Sequence, residues 1–121
     1  MQTTTLESAV ARIPDGASLM IGGFMGVGTV VEEGKRKVEV DGREYLLELP
    51  LRADFALLQA FLSDYLGNLT YALTARNFNP VIAMAADTVI ADAEHIVPVG
   101  MISPDHVMTP APLVDYLIAT A

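Results

Sequence analysis

Leu19, Met20 and Ile21 run directly into Gly22-Gly23-Phe24-Met25-Gly26-Val27-Gly28, which holds four of the chain's nine glycines. A short apolar stretch that ends in clustered glycine predicts a buried strand, over residues 18–23, turning into a glycine-rich loop. Glycine lets the backbone take left-handed dihedrals and lets a ligand come close to the main chain. Such a loop can present several N–H donors to a phosphate or a thioester carbonyl. It can equally be a tight structural turn, with Phe24 as a core residue beneath it, and the residues alone leave both readings open.

On either side the pattern alternates between strand and helix. Residues 6–13 predict a short helix with Leu6, Val10 and Ile13 on one face, ended by Pro14-Asp15-Gly16. Beyond the glycines, residues 37–40 and 43–48 flank Asp41-Gly42, a favoured pair for a two-residue hairpin turn. That hairpin puts Val38, Val40, Tyr45 and Leu47 on one face. Residues 54–61 are a continuous apolar run compatible with a helix or a buried strand. Residues 64–68 read as a turn and 69–71 as a short extended piece. Asn79-Pro80 can start a helix running to Ala86, since proline is tolerated in the first turn. Residues 88–91 are β-branched and apolar and predict a core strand. A second apolar segment covers 95–98, and a last strand covers 113–119. The alternation predicts an α/β layered fold, and nothing in the chain resembles a linker, so residues 1–121 are expected to form a single domain.

Composition bounds the function. The 121 residues are 52% hydrophobic with a formal net charge of -8, and the mean hydropathy is +0.42. A chain this size has limited interior, so part of its apolar surface is expected to meet another chain, making it an oligomer. The acidity argues against nucleic-acid or acidic membrane partners. It also gives no help in holding phosphate groups. There is no cysteine, hence no disulfide and no thiolate metal site. The first residues lack the basic and apolar regions of a signal peptide, and no apolar run approaches the roughly 18 residues of a membrane span. A cytoplasmic protein is expected, in which the Asn68-Leu69-Thr70 glycosylation triplet is idle.

Few side chains suggest chemistry of their own. Glu32-Glu33-Gly34 sits beside the charged hairpin and reads as solvated carboxylate surface. Arg76-Asn77-Phe78-Asn79-Pro80 suits helix capping, with Asn79 as N-cap, or an interface, or a pocket wall. Asp105-His106 suggests an oriented base, but no serine or cysteine nucleophile motif accompanies it. Asp87, Asp92 and His95 match no established metal spacing, and the methionines read as core or interface filler.

The Asp15–Gly28 segment resembles the signature of the A-type (alpha) subunit in the family I (3-oxoacid) coenzyme A transferases, whose pattern continues as Gly-x-Pro into a helix. Here Gly28-Thr29 leads instead into Val30-Val31-Glu32-Glu33-Gly34-Lys35, which is similar to a later stretch of that same polypeptide. The resemblance then continues through Pro50-Leu51-Arg52-Ala53-Asp54, Gly67-Asn68-Leu69-Thr70-Tyr71, Ala75-Arg76-Asn77-Phe78-Asn79-Pro80, Pro104-Asp105-His106-Val107 and Thr109-Pro110. It implies an A-type polypeptide whose middle is missing at about residues 26–30, with an N-terminal part (1–29) and a C-terminal part (30–121).

The implied fold is a three-layer α/β/α sandwich with a mostly parallel sheet, truncated so that a sheet edge or face is left uncovered. It also decides for a strand at 54–61. The implied activity is transfer of coenzyme A from an acyl-CoA to a short-chain or 3-oxo acid such as acetate, butyrate or acetoacetate. The B-type (beta) partner would supply the catalytic glutamate, so this chain is not expected to be active alone. Coenzyme A enters as a thioester substrate, with no permanently bound cofactor. Gly22, Gly23, Phe24, Gly26 and Gly28 are the implied ligand contacts. The alternative is an inactive remnant that serves only as a structural or interaction module.

Overall fold

The computed structural model describes residues 1–22 and 33–119. Its centre is a pair of long parallel strands, β5 (Ala53–Asp64) and β7 (Ala86–Val97), in register from Ala53 opposite Ala86 to Asp64 opposite Val97. Around them stand β1 (Gln2–Thr4), β2 (Leu19–Ile21) and β8 (Tyr116–Ile118), in the order β1-β8-β7-β5-β2. All neighbours on that path are parallel. The short β6 (Leu69–Thr70) folds back antiparallel on the end of β5. The hairpin β3 (Lys37–Val40) and β4 (Arg43–Leu46) makes a separate two-stranded sheet.

Side-chain size on β5 and β7 decides what covers each face. Ala56, Ala60, Ala91 and Ala93 are buried on one face with Leu58 and Val89. Their small side chains let the helix α2 (Asn79–Ala83) pack Ile82 and Ala83 against the sheet. The opposite face carries Ile90, with Phe55 and Leu57 partly buried, and receives Ala9 of the helix α1 (Leu6–Val10). The order is therefore helix, sheet, helix. A strand that carries apolar residues on both faces has no polar alternation to show, which is why 54–61 reads ambiguously in sequence and is a strand in space.

Among the described residues the α1 face is incompletely covered. Leu6 and Val10 remain 58% and 59% exposed, and an open apolar concavity of about 280 Å³ lies between α1, Ile21 and Leu57. This matches the expected uncovered face. It also corrects the expected helix over 6–13: α1 stops at Val10, and Ala9 rather than Leu6 or Val10 is the residue it buries.

Other boundaries shift for similar reasons. α2 ends at Ala83, because 86–97 forms one unbroken strand in place of the two apolar segments expected there. The last strand begins only at Tyr116, after a 3-10 turn over Ala111–Leu113. The hairpin forms as expected: Asp41 and Gly42 have φ of 50 and 73, the doubly left-handed turn that fits strand twist, and Val38 stands opposite Tyr45. Its apolar face meets no core among the described residues, with Val40, Tyr45 and Leu47 all exposed. Met84 and Met101 are likewise exposed rather than core filler.

Candidate functional site

The start of the glycine-rich segment is held from below. Ser18 binds Asp54 three ways: its N–H and its Oγ–H each donate to Asp54 Oδ2 at 2.7 Å, and its Oγ accepts from Asp54 N–H at 3.0 Å. The Ser18 hydroxyl and N–H hold the Asp54 carboxyl below its ordinary value of 3.8. These bonds fix β2 against β5, in register from Leu19 opposite Phe55 to Ile21 opposite Leu57, and so fix where Gly22 leaves the sheet.

Gly22 lies against Asn79. A Cβ at position 22 would stand 2.8 Å from Asn79 Oδ1, 3.4 Å from its Cγ and 3.7 Å from Ile82 Cδ1. Asn79 is buried, and its Nδ2 donates to the Gln59 carbonyl at 3.3 Å and the Ala75 carbonyl at 3.0 Å. It is not the N-cap that the sequence suggests. Phe78 occupies that position with helical dihedrals and no side-chain cap bond, and Asn79 is the first residue of α2. Its side chain instead bridges the sheet and the preceding 3-10 turn, one acceptor lying on β5 and the other in Leu73–Arg76. Gly23, Phe24, Gly26 and Gly28, and Glu32, lie outside the described residues. Glu33 is exposed, as a solvated carboxylate should be.

A second group of sequence candidates meets at the far end of β5. Arg76, Asp105 and His106 share an open cleft of about 440 Å³ with Phe61, Tyr71 and Met101. The Asp105 carboxylate does not hydrogen-bond the His106 imidazole, so the pair is no oriented base; both sit exposed on a 3-10 turn (Pro104–His106). Tyr71 and Thr109 carry no sign of a joint role in the sequence, yet both are buried and their hydroxyls bond at 2.6 Å, tying the cleft's walls together. Asp92 and His95, three apart on β7, point to opposite faces. Among the described residues no three His, Asp or Glu side chains converge as metal ligands.

Comparison with known proteins decides the family. The sequence pattern of the family Coenzyme A transferase matches residues 25–120. The chain belongs to the coenzyme A transferase family. It is 52% identical over 103 residues to the alpha subunit of acetate CoA-transferase from Escherichia coli K12, covering 83% of this chain and 47% of that one. To the alpha subunit of the acetoacetyl-CoA:acetate/butyrate CoA transferase of Clostridium acetobutylicum it is 46% identical over 112 residues, covering 90% and 51%.

The chain thus spans about half the length of the curated coenzyme A transferase subunits it matches. Among solved structures, the apoenzyme of an acyl-CoA transferase from Escherichia coli O157:H7 superposes with a TM-score of 0.62 at 27% identity, over 70% of this chain and 18% of that one. Glutaconate coenzyme A-transferase from Acidaminococcus fermentans has the same fold, with a TM-score of 0.62 at 20% identity, over 78% and 31%. The family thus accounts for the mostly parallel sheet. No described helix is long and apolar enough to cross a membrane.

Proposed function

We propose that this chain is an abridged A-type subunit of a coenzyme A transferase, acting in the cytoplasm with a B-type partner. The observation that carries the reading is the 52% identity to the alpha subunit of an acetate CoA-transferase over 103 residues, in a chain whose strand β2 delivers Gly22 to the glycine-rich segment. In this reading residues 1–29 and 30–121 are two parts of one domain, joined in frame at about residues 26–30. The start of the family match at residue 25 supports a junction there.

The chemistry follows from the groups at hand. A carboxylate of the partner attacks the thioester carbonyl, expelling the coenzyme A thiolate and forming a mixed anhydride. The thiolate then attacks the anhydride at the enzyme's acyl carbon, releasing the donor acid and leaving an enzyme thioester. The acceptor acid, of the acetate, butyrate or acetoacetate class, reverses both steps. In this reading main-chain N–H groups drawn from Gly22, Gly23, Phe24, Gly26 and Gly28 donate to the thioester, some of them to its oxygen, which gains negative charge as the carbonyl is attacked.

The reading is tested by co-expressing the chain with the B-type polypeptide of an acetate CoA-transferase. A stoichiometric complex that moves coenzyme A from acetoacetyl-CoA to acetate, with neither polypeptide active alone, is expected. A chain that never associates, or a complex without turnover, favours the structural-remnant reading instead, for which the uncovered α1 face is the supporting observation.

A further inference from the structure

One short helix is set on a sheet face five strands wide. α1 carries the chain back along the sheet between the parallel strands β1 and β2, and Ala9 seats it on Ile90 of β7 and Ile118 of β8. Beside it, β5 and β2 present Phe55, Leu57, Leu19 and Ile21 on the same face, because Met20 between the last two packs on the other. Leu19 and Ile21 are 46% and 66% exposed. The floor left open among the described residues is two strand spacings wide, about 10 Å, which is the separation of two packed helices.

Leu6 and Val10, one helical turn apart, stand at the side of that floor and line the same concavity as Ile21 and Leu57. Wall and floor together form an apolar step. It holds one carboxylate, Asp92, and no lysine or arginine, so shape rather than charge decides what fits. A step of this form fits itself. Turned about a two-fold axis along α1, a second copy sets its own helix over the open floor of the first. Leu6 then meets Leu6, Val10 meets Val10, and both floors are covered at once.

We propose that this step is the surface through which two copies of the chain pair. Isologous pairing closes at two, so no further copy is recruited. A standard interface takes about 800 Å² from each partner, and a step confined to one five-residue helix and two strands offers less. The pair is therefore reversible, with a Kd in the micromolar range. Each copy carries a net charge of -8, so salt tightens the pair by screening that repulsion. The inference does not rest on the transferase reading, since it needs neither coenzyme A nor a B-type polypeptide.

The test is sedimentation velocity of the full chain across the micromolar range, in low and high salt. A concentration-dependent dimer that high salt strengthens is expected. Val10→Glu should raise its Kd about tenfold or more, because two unpaired carboxylates are then buried at the axis. Val81→Glu, at a valine of similar exposure on α2 and the opposite face of the sheet, should leave it unchanged. Thermal melts by circular dichroism establish that both variants fold. The chain has no cysteine, so a single one reports on the axis: Val10→Cys should form a disulfide-linked dimer on oxidation with diamide, and Val81→Cys should not. A monomer at every concentration, a dimer indifferent to Val10→Glu, or crosslinking as fast at position 81 as at position 10 would each overturn the proposal. So would a Val10→Cys thiol that maleimide labels freely in the chain alone and that only a B-type polypeptide shields, which would assign the step to that partner.

Discussion

Gly22→Ala is the most direct perturbation of the contact between the glycine-rich segment and α2. The new methyl would sit 2.8 Å from Asn79 Oδ1, well inside contact distance, so one partner must move. Gly22 has no left-handed φ, so the backbone itself accepts alanine, and a stiffer unfolded chain contributes about 0.4–1 kcal/mol of stabilisation. Asn79 cannot retreat freely. It is buried, and withdrawing it breaks Nδ2 bonds to Gln59 and Ala75, at about 0.5–1.5 kcal/mol each. Overpacking of this kind costs about 1–3 kcal/mol, which outweighs the unfolded-state gain.

The expected net loss is therefore about 1–2 kcal/mol, or a fall in Tm of about 4–8 °C for a chain of this length. Asn79→Ala alone should also destabilise, because it removes both part-buried Nδ2 bonds and the packing of a buried side chain. In Gly22→Ala/Asn79→Ala the clash is gone, so the double variant should lie about 1 kcal/mol or more above the sum of the two losses. Urea unfolding followed by circular dichroism measures all four proteins. Additive losses would refute the reasoning, because they would mean that Gly22 and Asn79 do not share the space assigned to them.

Asp64 should set part of the acid stability. Burial pushes its carboxyl up, but the Asn68 side-chain amide and the N–H groups of Asn68, Leu66 and Gly67 outweigh burial and hold it below 3.8. A depressed folded value adds stability above 3.8 that disappears as the pH falls through the folded value. Asp64→Asn should flatten the stability profile in that acid window and cost about 1–3 kcal/mol at neutral pH; acid melts of both proteins with equal slopes below pH 4 would contradict this. Tyr71→Phe strands the buried Thr109 hydroxyl and should cost about 1–2 kcal/mol. Adding Thr109→Val should recover part of that loss, and a double variant no more stable than Tyr71→Phe in urea would contradict the assignment.

What the sequence makes legible here is what neighbours in the chain decide among themselves. The hairpin is readable because Asp41-Gly42 alone meets the demand for two left-handed residues in a row. β1 is not, because Gln2-Thr3-Thr4 becomes a strand only by lying beside Tyr116–Ile118. α1 stops at Val10 although the apolar spacing continues, and Ile13 packs on Ala9, Ile90 and Ile118 from the turn that follows the helix.

The glycines show where local reading stops. Gly22 appears in the sequence as one of four equivalent glycines, each explained equally by a ligand above the loop or by a tight turn. In space it is explained by Asn79 beneath it, a residue from a distant motif whose apparent role was to cap a helix. Packing therefore accounts for glycine at position 22 whether or not a thioester binds. The ligand-contact reading then rests on Gly23, Gly26 and Gly28, and side chains introduced there should change affinity for acyl-CoA more than they change stability, whereas one at position 22 should do the reverse.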